Sequence, residues 1–110
     1  MLHKLAYAAL LLTGLGTGAK AEFFSGNDLM AGCQVRSAAV SSYVLGVVDA
    51  AELHAVAGGS SIKICAPPGA TGEQLRDVFC KALLAKPEDR HRPAAALASL
   101  ALDEAFPCKD

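Results

Sequence analysis

The residues best suited to chemistry in this 110-residue chain are Cys33, Cys65, Cys80 and Cys108, with His54, His91 and Ser99. Thiols and imidazoles can hold zinc, but they need paired spacing, and the chain has neither a Cys-x-x-Cys nor a His-x-x-x-His pair. Nucleophilic catalysis needs a hydroxyl or thiol beside a base. Ser99 or Cys80 with His91 would supply the types, but no motif places them together, and cysteines joined in disulfides are not nucleophiles. Asp49 and Glu52 share a helix face and read as solvated acids. An even cysteine count in a small exported chain points instead to disulfide staples. No enzyme activity, metal or cofactor is expected from these residues.

Export is read from residues 1–21. Lys4 supplies a positive start, residues 5–12 form an unbroken apolar run, and Ala19-Lys20-Ala21 has small residues where a signal peptidase cuts. The run is too short to span a bilayer, and Gly14, Gly16 and Gly18 follow it. Leu29-Met30-Ala31-Gly32-Cys33 spells a lipobox, but polar Glu22, Ser25, Asn27 and Asp28 separate it from the apolar run. The expected organisation is a cleaved signal peptide, 1–21, and one domain, 22–110, with no membrane attachment after cleavage.

Charge narrows the partners. Lys plus Arg is 10 and Asp plus Glu is 11, a net charge of −1. Cleavage removes Lys4 and Lys20, which leaves eight basic against eleven acidic residues and a charge of −3. A nucleic-acid binder would carry a clustered basic excess.

The elements that must position these groups are helical. Ser25 and Asp28 form a capping-box pattern, with Asn27 as an alternative N-cap. A short helix near 27–36 and a longer one near 37–56 follow, or one continuous helix across both. Val40, Tyr43, Val44, Val47, Val48 and Ala51 recur at helical steps, with Ser42, Asp49 and Glu52 opposite. Gly58-Gly59-Ser60-Ser61 ends that stretch. Residues 61–65 have no strand partner and read as an extended connector closed by Ala66-Pro67-Pro68-Gly69. Thr71 and Gln74 give a second capping box, and Leu75, Val78, Phe79, Ala82 and Leu83 an amphipathic stripe. Asp77 and Lys81 stand four apart on its exposed flank. Pro87 stops that helix, and Pro93 opens a last one with Ala94, Leu97, Ala98, Ala101, Leu102 and Ala105 facing inward. The fold class is all-α: a small, disulfide-stapled bundle of about four helices. Phe23 and Phe24 are read as a lid over the core, and Tyr43 as a core residue whose hydroxyl reaches the edge.

Several strings taken together resemble a known family. They are Phe24-Ser25-Gly26-Asn27-Asp28-Leu29, Cys33, Tyr43-Val44-Leu45-Gly46-Val47-Val48-Asp49-Ala50, Cys65-Ala66-Pro67-Pro68-Gly69 and Gln74-Leu75-Arg76-Asp77-Val78. Pro87-Glu88-Asp89-Arg90-His91, Pro93-Ala94-Ala95 and Ala101-Leu102-Asp103-Glu104-Ala105-Phe106-Pro107-Cys108 complete them. In order and spacing they resemble the Rap/Tai family of type VI secretion immunity proteins over nearly all of the mature chain. The resemblance implies a helical protein exported to the periplasm of Gram-negative bacteria. It also implies a partner, a peptidoglycan amidase effector whose active site is blocked, and in several members a homodimer. The alternative is an exported structural or adaptor protein of the same fold with no toxin partner.

The resemblance has one departure. Family members usually carry a cysteine a few residues before the position of Tyr43, where this chain has Val40-Ser41-Ser42, and an aliphatic residue at the position of Cys80. The wiring must therefore differ. Of the three pairings open to four cysteines, Cys80 standing in for the missing partner suggests Cys33–Cys108 with Cys65–Cys80. Candidate partner-binding residues are Glu88, Asp89, Arg90 and Arg92 in the charged link, and His54 in the segment 52–63, which departs most from any recognised motif.

Overall fold

Ser25 opens the first helix by accepting from the Asp28 N–H, while the Asp28 carboxylate accepts from the Ser25 N–H at 2.8 Å. This reciprocal cap satisfies two of the donors that a helix start leaves free. The computed structural model describes residues 23–58 and 63–109; the expected signal peptide lies outside them. Helix α1 runs Gly26–Gln34, α2 Ala38–Val56, α3 Gly72–Ala85 and α4 Ala94–Ala105, with a 3-10 turn over Pro87–Asp89. No strand forms among the described residues; a single bridge joins Ser25 to Pro93. Thr71 and Gln74 cap α3 as the spacing predicts.

α1 and α2 are separate helices. Arg36 between them adopts φ +52, a left-handed conformation that breaks a helix. Ser37 then caps α2 by accepting from the Ala39 N–H. Pro93 stands one position earlier than expected, as the N-cap of α4.

α3 touches each of the other three helices, and they also touch one another. The core is Val40 and Val44 of α2, Leu75, Phe79, Cys80 and Leu83 of α3, and Ala94, Ala98 and Leu102 of α4. Arg76 is buried on the same side of α3, 4% exposed. Its Nη1 donates to the Arg36 carbonyl at 3.0 Å, and its Nε and Nη2 donate to Asp77 Oδ1. Asp77 also pairs with Arg36 at 3.2 Å. Its ion partners are therefore Arg36 and Arg76 rather than Lys81.

The cysteines pair Cys33–Cys80 and Cys65–Cys108, with Cα–Cα distances of 5.6 and 5.0 Å. This corrects the expected Cys33–Cys108 and Cys65–Cys80. α1 lies on α3, so Cys33 in the last turn of α1 faces Cys80. The connector runs beside the C-terminal tail, where the Cys65 N–H donates to the Phe106 carbonyl. The turn at residues 66–69 delivers the chain to the start of α3, and Cys80 lies more than two helical turns beyond.

Close approach explains Gly26, which is buried. A Cβ there would lie 2.8 Å from Leu97, 2.9 Å from Leu83 and 3.0 Å from the Arg90 carbonyl. Gly26→Ala forces these neighbours apart, and overpacking of this kind costs about 1–3 kcal/mol. We expect the melting temperature to fall by about 4–8 °C per kcal/mol lost. An unchanged melting curve would show that the contact yields freely.

Candidate functional site

α2 is apolar nearly all round, but its buried residues, Val40, Ser41 and Val44, lie in its first half. From Leu45 onward none is buried. Leu53 is 69% and Val56 82% exposed, and Asp49, Glu52 and His54 are exposed beside them. In length and apolarity α2 passes as a membrane-spanning helix, although it packs on α3 and α4. An exposed apolar surface edged by polar groups is the usual mark of an interaction surface.

His54 also lines a groove of about 450 Å³ between α2 and α4, with Tyr43, Gly46, Val47, Ala50 and Ser99. Phe24 closes edge-on to Tyr43, with ring centroids 5.9 Å apart and an interplanar angle of 79°. Phe23 is 92% exposed and covers nothing, so only Phe24 approaches the lid-like role expected of the pair. The Ser99 hydroxyl donates to the Ala95 carbonyl at 2.8 Å. Cys80 is held in its disulfide, so both the hydroxyl and the thiol considered beside His91 have other partners. Among the described residues no group of His, Cys, Asp or Glu is placed to hold a metal.

The charged link lies elsewhere. Asp89 and Arg92, 3.9 Å apart, line a second groove of about 460 Å³ between α3 and α4. Glu88 is exposed. The Arg90 Nε donates to the Leu83 carbonyl at 2.6 Å, and its Nη2 reaches that of Leu84, so its guanidinium closes the end of α3. The backbone of the link is engaged too. Arg90 and Arg92 carbonyls accept from the Asn27 and Gly26 N–H groups, and the Ala94 N–H donates to the Phe24 carbonyl. The link thus supplies partners for free donors at the start of α1. The sequence candidates therefore divide between two grooves, with His54 in one and Asp89 and Arg92 in the other.

Two features were not anticipated. One is the Arg36–Asp77–Arg76 cluster, whose signal lay in helical spacing: Arg76 falls in step with Phe79, Cys80 and Leu83. The other is the apolar outer side of α2. Leu53 and Val56 lie outside the inward stripe and are exposed, whereas Leu45 reaches over Gly72 at the start of α3.

Burial raises the Tyr43 phenol above its ordinary value of 10.0, partly offset by a hydrogen bond with the Ala95 backbone. The folded state then keeps a proton that the unfolded chain gives up. The contribution is fully present below pH 10 and is lost as pH rises through the raised folded value. Urea unfolding across pH 8 to 11 should show the wild type losing stability relative to Tyr43→Phe only above about pH 10. Parallel curves throughout would contradict this.

Comparison with known proteins bears on what these surfaces serve. The family model described as Rap1a immunity proteins matches residues 25–108, from the capping serine of α1 to the last cysteine. No curated protein and no solved structure matches the chain. The match takes in all four helices and both disulfides, and the chain belongs to the Rap1a immunity protein family.

Proposed function

We propose that this protein is exported through residues 1–21 and acts in the periplasm as a type VI immunity protein. There it binds a peptidoglycan amidase effector and blocks its active site, which protects the producing cell. The carrying observation is the outward side of the C-terminal half of α2, where the stapled bundle leaves Leu53 and Val56 exposed. Leu53 and Val56 provide apolar anchors, and Asp49, Glu52 and His54 a polar edge. A binder gains from a surface whose shape is fixed beforehand, because less freedom is lost on association. Two disulfides and the capped helix starts supply that rigidity. Inhibition of this kind asks for a rigid surface and needs no catalytic group in the inhibitor.

The test is contact competition between the parent strain and a strain lacking this gene. The deletion strain should be killed by its parent, and the full chain should restore survival. A chain lacking residues 1–21 should not. Leu53→Asp with Val56→Asp should also fail while keeping its helical signal and melting temperature, because loss of a buried anchor typically costs about 2 kcal/mol or more of binding. Equal survival of the deletion strain would overturn the immunity reading. Full protection by the double variant would move the contact surface away from α2.

A further inference from the structure

The two disulfides occupy different kinds of site. Cys80 is 8% exposed, sits within the core cluster, and joins α3 to the last turn of α1. Cys65 is exposed, lies in the extended connector, and joins it to Cys108 in the tail beyond α4. Beside that second bond, among the described residues, one backbone hydrogen bond links connector and tail, from the Cys65 N–H to the Phe106 carbonyl at 3.2 Å. Ile64, Ala66, Ala70 and Phe106 pack against the outside of the core without being part of it. Opening Cys65–Cys108 therefore releases residues 63–70 and the tail but leaves each core side chain in place. Opening Cys33–Cys80 separates α1 from α3 through the middle of the core.

We infer that Cys65–Cys108 is a redox-sensitive clasp: an external dithiol can open it in the folded protein, while Cys33–Cys80 stays closed and holds the bundle. The exchange is balanced. A thiolate of the dithiol attacks Sγ of Cys65, the sulfur–sulfur bond breaks, and Cys108 leaves as a thiolate that takes up a proton. The second thiol of the reagent then displaces Cys65 from the mixed disulfide. The reagent is oxidised by two electrons to its own disulfide, and both cysteines end as thiols. The rate of each attack depends on access to the sulfur. Cys33 and Cys108 are both half-buried, and the two bonds differ in that Cys65 is exposed where Cys80 is buried. In sequence the clasped connector follows α2. On the reading of α2 as the partner surface, the bond therefore also tethers the segment that follows that surface.

The experiment is graded reduction of the purified oxidised protein with dithiothreitol. Free thiols are trapped by alkylation, the labelled positions are mapped by mass spectrometry, and helical content is followed by circular dichroism. The inference predicts a species alkylated at Cys65 and Cys108, with Cys33–Cys80 intact and the helical signal retained. Labelling at Cys65 and Cys108 should run at least ~10-fold faster than at Cys33 and Cys80. Appearance of all four thiols together with loss of helix, or of Cys33 and Cys80 first, would overturn it. A second arm uses Cys65→Ser with Cys108→Ser. This variant should fold with wild-type helical content, with faster hydrogen exchange and proteolysis confined to the connector and tail. Failure to fold, or unchanged exchange there, would also overturn the clasp. Neither arm uses an effector, so either result leaves the immunity reading to its own test.

Discussion

Cys80 sits in the middle of α3, on the face that also carries Leu75, Phe79 and Leu83, and its bond to Cys33 holds α1 against the helix that supplies most of the large core side chains. The rest of the structure depends on that constraint because the core is small. Among the described residues, Phe79, Leu102 and Val44 are the largest side chains with essentially no exposure, and Ala94 and Ala98 fill the α4 side of the core. Domains of this size bury too little surface to be stable by much. Bonds that close loops of 47 and 43 residues restrict the unfolded chain by about 4 kcal/mol each in the chain-entropy account. That is a large part of the ~5–15 kcal/mol that ordinary domains have.

Covalent closure has a consequence for α2. A bundle that relied on burial alone would need the whole apolar length of its longest helix. This one buries Val40, Ser41 and Val44, packs Val47 and Val48 partly against the core, and leaves Leu53 and Val56 exposed beyond them. The charged link at the other side of the bundle takes the opposite course. Its carbonyls receive the first N–H groups of α1, and Arg90 closes the end of α3. What looks polar and free in sequence is tied into the scaffold, and what looks like core is left on the surface.

The parts of the fold legible in the sequence are those set by near neighbours. Both capping boxes, the stripe on α3, the stop at Pro87 and the start near Pro93 depend on residues within a turn or two of one another. The pairing of the cysteines was not legible, because it depends on which elements meet across more than 40 positions. Arg76 shows an intermediate case. Its place on the inner face follows from helical spacing, but its tolerance there rests on the Arg36 carbonyl and on Asp77, and the carbonyl is positioned by a left-handed residue that local propensity does not favour. The candidate site was half legible. His54 was singled out, but the exposed Leu53 and Val56 beside it read as ordinary helix, since an apolar residue carries no label for the face it will take.

The central claim is that a stapled scaffold presents the outer half of α2 to its partner. Hydrogen exchange of the purified protein, alone and with the toxin effector proposed as its partner, tests this most directly. The account predicts added protection concentrated from Leu45 to the end of α2. Protection confined to residues 86–93, with α2 exchanging as in the free protein, would contradict it.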